Sequence, residues 1–124
     1  MKRNQEEVLP PAYEGVERHL TALFYSGVYI TNSDIVQIGR SLGLDLPMKD
    51  RTALLKQIMR FAHEEGRKRE LMQGFHTLIK ERSDHYAKLL EEFPEAAPLI
   101  EEWLRKARAT ALLLQREMRS SPYE

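Results

Sequence analysis

Cysteine is absent from the chain. That excludes disulfide staples, thiolate zinc sites, iron–sulfur clusters and a cysteine nucleophile. Long apolar runs are absent too, so no membrane-spanning helix is expected. Met1 to Pro11 carry Lys2, Arg3, Glu6 and Glu7 without an apolar stretch. No signal peptide is therefore expected, and a cytoplasmic location is the default. Net charge is missing as well, with 19 Lys and Arg against 19 Asp and Glu. A chain that worked by non-specific phosphate binding would show a basic excess. Residues 1–47 hold 4 basic and 6 acidic groups, 48–92 hold 10 and 8, and 93–124 hold 5 and 5. Divided this way, no segment is strongly polarised.

What is present suits helices. The 124 residues are enough for one core and too few for two, so a single helical domain over 1–124 is expected, with 1–10 and 120–124 frayed. An apolar share of 42% with 31% charged residues is what a small bundle produces, because much of each helix faces water.

Pro10-Pro11 should open a first helix, where a missing amide hydrogen costs nothing. Tyr13, Val16, Leu20, Leu23 and Phe24 then recur on one face, Gly27 is a plausible stop, and Val28-Tyr29-Ile30 form a short apolar bridge. Thr31-Asn32-Ser33-Asp34 reads as a helix start with a capping box between Thr31 and Asp34. The short second helix turns Ile35, Ile38 and Leu42 inward and ends at Gly43. Leu44-Asp45-Leu46-Pro47 is an extended link, since a residue before proline avoids the α region. A third helix is expected from Met48 to Glu65 with Leu54, Leu55, Ile58, Phe61 and Ala62 inward, ended by Gly66.

The fourth helix, Arg67 to Glu92, carries a stripe of Leu71, Phe75, Leu78, Ile79, Tyr86, Leu89, Leu90 and Phe93. A turn from Phe93 to Pro98 leads into the last helix, with Pro98 as its first residue. There Ile100, Trp103, Leu104, Ala107, Ala111, Leu114 and Met118 share one face. The fold class is therefore all-α: a four- or five-helix antiparallel bundle dominated by a long C-terminal helical hairpin.

Two features invite a functional reading. Arg82 falls inside the apolar stripe of the fourth helix, between Leu78 and Tyr86, and an unpaired buried guanidinium is costly. It is either a pocket arginine gripping a carboxylate or phosphate, or, more plainly, a snorkelling side chain or an internal partner of an acid such as Asp34 or Glu101. On the last helix, Arg105, Arg108, Arg116 and Arg119 lie within about 80° of one another at 100° per residue. Leu112 stands in the middle of that row and Glu101 at its start. The row suits an acidic or phosphate-bearing partner, while a solvated face matched to the helix dipole is the plainer account. Leu112, Leu113 and Tyr25 lie off the expected core stripes, which favours a protein partner.

Other features yield less. Arg67-Lys68-Arg69 is explained as a solvated face with local ion pairs to Glu64, Glu65 and Glu70. The helix–extension–helix layout of Thr31 to Phe61 resembles SAP-like nucleic-acid modules, which rely on basic residues around the link. Here Asp45 and Asp50 stand beside Lys49 and Arg51, so a plain pair of core helices is the simpler account. A helix-turn-helix over Val36 to Ile58 has the same weakness. Among His19, His63, His76 and His85, only Glu81 and His85 have ligand spacing on a helix. No Gly-rich phosphate loop, serine elbow or di-iron motif occurs. No catalytic residue, metal ligand or cofactor is nominated. The expected function is a non-enzymatic helical interaction module (adaptor, small chaperone or assembly subunit) that binds a protein or itself. The alternative is a nucleic-acid-binding subunit using the arginine row with Lys56 and Arg60.

Overall fold

A computed structural model describes residues 11–24, 30–47 and 50–119. Among these, five α-helices and a short 3-10 turn account for the architecture, with no strand. They are α1 (Pro11–Phe24), α2 (Asn32–Ser41), α3 (Arg51–Glu64), α4 (Lys68–Glu92) and α5 (Ala97–Arg119), with the 3-10 turn Pro94–Ala96 joining the last two. The fold is the all-α bundle that the periodicity implies. The expected stops and bridges at Gly27 and at Val28-Tyr29, the side chains of Tyr25 and Phe24, and both chain ends lie outside the described residues.

Local chemistry sets several boundaries. Thr31 is the N-cap of α2, accepting a hydrogen bond from the Asp34 amide at 3.1 Å. Asp34 Oδ2 accepts one in return from the Thr31 amide at 2.8 Å. Two amide donors at the helix start are thereby satisfied reciprocally. Gly43 and Gly66 follow α2 and α3 with φ of 86° and 67°, the left-handed region that other residues avoid. Helix α3 begins at Arg51 rather than Met48, because the Asp50 side chain accepts the Ala53 amide and caps there. Helix α5 begins one residue before Pro98, at Ala97, since proline is tolerated throughout the first turn.

One cluster of buried side chains unites the helices. Tyr13, Val16, Leu20 and Leu23 of α1 meet Ile35 and Val36 of α2, Leu54, Leu55, Ile58 and Met59 of α3, and Leu71, Met72 and Phe75 of α4. Ile30 and Leu46, from the segments flanking α2, are buried with them. Helix α5 adds Ala107 and Leu114.

Helices α4 and α5 form an antiparallel hairpin, as three cross-pairs show. Lys68 meets Glu117, Arg69 Nε donates to the Met118 carbonyl at 3.2 Å, and Tyr86 packs on Trp103 with ring centroids 5.3 Å apart. Residues 68 and 69 meet 117 and 118 at one end, and residue 86 meets 103 towards the other, so the numbers climb along α4 as they fall along α5. Burial along α4 ends at Ile79, however. Leu89 and Leu90 are only half-buried and Phe93 is 50% exposed, so the expected stripe does not continue as core. Leu113 also departs from expectation, being half-buried and packed against the core.

Candidate functional site

The arginine row occupies the side of α5 that faces away from the bundle. Ile100, Leu104, Ala107, Thr110 and Leu114 are buried. At 100° per residue the centre of the row lies about 140° from the middle of that stripe. Arg105, Arg108, Arg116 and Arg119 are all exposed, and Leu112 at their centre is 61% exposed. From Arg105 to Arg119 the row runs about 21 Å along the helix.

The four cations are not equivalent. Arg105 Nη2 pairs with Glu102 at 2.5 Å, and Lys106 approaches the same carboxylate at 3.9 Å. The Arg105 hydrogen bond first, and then the nearby positive charges, hold the Glu102 carboxyl below the usual carboxylate range. Arg108, Arg116 and Arg119 make no ion pair with any described residue. Arg108 and Arg116 stand one turn to either side of Leu112, so the face offers an apolar side chain between cations.

On the side towards α1, Arg105 and Lys106 also border an open cleft of about 210 Å³ lined by His19, Ala22, Leu23, Ala109 and Thr110. The cleft exists only because α1 packs across α5, so neither helix announces it alone. Thr110 is buried at its floor, its hydroxyl donating to the Lys106 carbonyl at 3.1 Å.

Arg82 sits elsewhere. It is 28% exposed, and its Nη2 donates to Asp34 Oδ2 at 2.7 Å. The Asp34 carboxylate thus caps α2 and ties α4 to it. Of the alternatives raised by its helical phase, the internal pair with Asp34 is the one that forms. Arg82 does not line the cleft and does not join the arginine row.

The basic triplet divides three ways. Arg67 Nε bonds Glu70 at 2.5 Å while its Nη1 donates to the Leu42 carbonyl, stapling the start of α4 to the end of α2. That pairing raises the Arg67 pKa and lowers the Glu70 pKa. Arg69 reaches Met118. Lys68, expected in solvent, is 4% exposed and pairs with Glu117 at 2.9 Å. The expectation fails because α5 folds back over the first turn of α4 and brings a carboxylate with it.

For the nucleic-acid alternative, Lys56 is bound to Glu17 at 2.8 Å and Arg60 is engaged within the chain. Among the described residues no three His, Asp or Glu side chains gather where a metal ion could sit. No described helix is long and apolar enough to cross a membrane. The chain matches no model of a known protein family, no curated protein and no solved structure.

Proposed function

We propose that the chain is a non-enzymatic interaction module that presents the outer face of α5 to a protein partner. The observation that supports this most is Leu112, a large apolar side chain left in water amid Arg108, Arg116 and Arg119. A partner of matching chemistry offers an apolar contact ringed by carboxylates. Burying Leu112 supplies the hydrophobic term, and the charges orient the encounter.

Nucleic acid is the second reading, supported by the same three arginines. A leucine at the centre of the row serves it poorly, and the cations of α3 are already committed. The test is capture of bound material from native lysate by the tagged protein, with and without nuclease, alongside Leu112→Asp and Arg108→Ala/Arg116→Ala variants. A protein that survives nuclease and is lost with Leu112→Asp supports the module reading. Material lost to nuclease, with a salt dependence flattened in the double arginine variant, supports the alternative. Capture unaffected by either variant overturns both.

A further inference from the structure

Exposed charge on the α4–α5 hairpin changes sign between its tip and the far end of α5. Between residues 91 and 102 stand Glu91, Glu92, Glu95, Glu101 and Glu102, with no lysine or arginine. Between 103 and 119 stand Arg105, Lys106, Arg108, Arg116 and Arg119 against Glu117 alone. Internal pairs remove Glu102 with Arg105, and Glu117 with Lys68. What remains is an acidic tip of the hairpin (Glu91, Glu92, Glu95, Glu101) and a basic far end (Arg108, Arg116, Arg119), all exposed. The large apolar side chains left exposed fall in the same two places: Phe93 and Leu99 at the tip, Leu112 amid the arginines.

Resting on the reading that this face binds protein, we propose that the partner is a second copy of this chain, packed antiparallel about a two-fold axis near Arg105. Antiparallel packing sets opposite charges against each other twice, because a two-fold axis repeats every contact. With Leu112 level with Pro98 of the second copy, Arg108 lies level with its Glu101. Arg116 and Arg119 then lie level with its turn, where Glu91, Glu92 and Glu95 stand. The two Arg105 side chains meet at the axis, each already neutralised by Glu102 of its own chain. A parallel pairing, or an antiparallel one centred on Leu112, stacks arginine on arginine and is disfavoured. Each exposed ion pair contributes a factor of roughly 1.5 to 5 in affinity, so the dimer is salt-sensitive.

The test is sedimentation equilibrium of the full chain and two reversed variants, each confirmed to match wild-type helicity and melting temperature. Glu95→Lys/Glu101→Lys reverses two charges of the acidic tip; Arg108→Glu/Arg116→Glu reverses two charges of the basic end. Wild type is expected to dimerise, with a Kd that rises as salt rises. Each variant alone is expected to dimerise at least about tenfold more weakly. An equal mixture of the two restores association, because the basic face of one then meets the acidic face of the other. A wild type that stays monomeric, variants that dimerise unimpaired, or a mixture that fails to associate overturns the proposal. A monomeric wild type that still retains a nuclease-resistant protein through Leu112 leaves the broader reading of α5 standing. A dimer indifferent to both reversals, in a chain whose lysate capture is indifferent to Leu112→Asp, sinks the two together.

Discussion

The base and the tip of the α4–α5 hairpin are built from the same two helices, yet they obey different rules. At the base, Leu71, Met72, Phe75 and Ile79 are enclosed by α2 and α3 as well as by α5. Beyond Ile79 no residue of α4 is buried, although Tyr86, Leu89, Leu90 and Phe93 continue the apolar phase. At the tip Ile100 and Leu104 are buried but stand outside the main core cluster. A helical stripe becomes core only where enough neighbours surround it. Two helices alone cover one another on one side and leave the rest wet.

That contrast can be broken by truncating the same stripe in both halves. Phe75→Ala, at a fully buried site, is expected to cost about 3–5 kcal/mol of unfolding free energy. Leu89→Ala, half-buried near the tip, should cost about 1 kcal/mol or less. Urea unfolding followed by circular dichroism measures both, and equal losses would show that the tip is as well enclosed as the base.

A smaller effect is expected at the hairpin's base from Lys68. Lys68→Met keeps the packed stem but takes the ammonium away from Glu117, and a loss of about 1–3 kcal/mol follows, moderated because Glu117 keeps some contact with water. Adding Glu117→Gln should recover most of it. A double variant no more stable than the single one would mean that the loss reflects packing rather than the lost ion pair.

The smallest effect separates Glu70 at the base from Glu102 nearer the tip. Both carboxyls are held below their ordinary value by an arginine hydrogen bond. A depressed carboxylate pKa adds stability that is complete above the ordinary glutamate range and fades as pH falls through the lowered value. Both pairs are exposed and screened, so Glu70→Gln and Glu102→Gln should change stability only slightly at neutral pH. Each should flatten the acid limb of the stability curve below about pH 4.5. A variant whose acid limb matches wild type would show that its pair is not formed in solution.

Some of this was legible from residue order. The Thr31–Asp34 box depends on groups three residues apart, and the stops after α2 and α3 depend on one glycine each. The phases of Arg82 and of the arginine row follow from helix geometry, and Asp34 was among the acids open to Arg82. The charge reversal along α5 was hidden by the choice of segment. Residues 93–124 balance as a block, and the reversal falls inside α5, between Glu102 and Arg105. Lys68 gave no local warning, since the carboxylate that receives it lies 49 positions away, and Met59 and Met72 joined the core without being singled out.

Residue order by itself determined where helices start and stop, which stripe of each is apolar, and that the fold is all-α, because these depend on contacts within a turn or two of helix. Only tertiary packing decided how far each stripe is buried, which charges are paired and which remain free, and where a cleft opens between α1 and α5. Those outcomes depend on which surfaces meet across the chain, and burial is a property of the neighbours rather than of the residue.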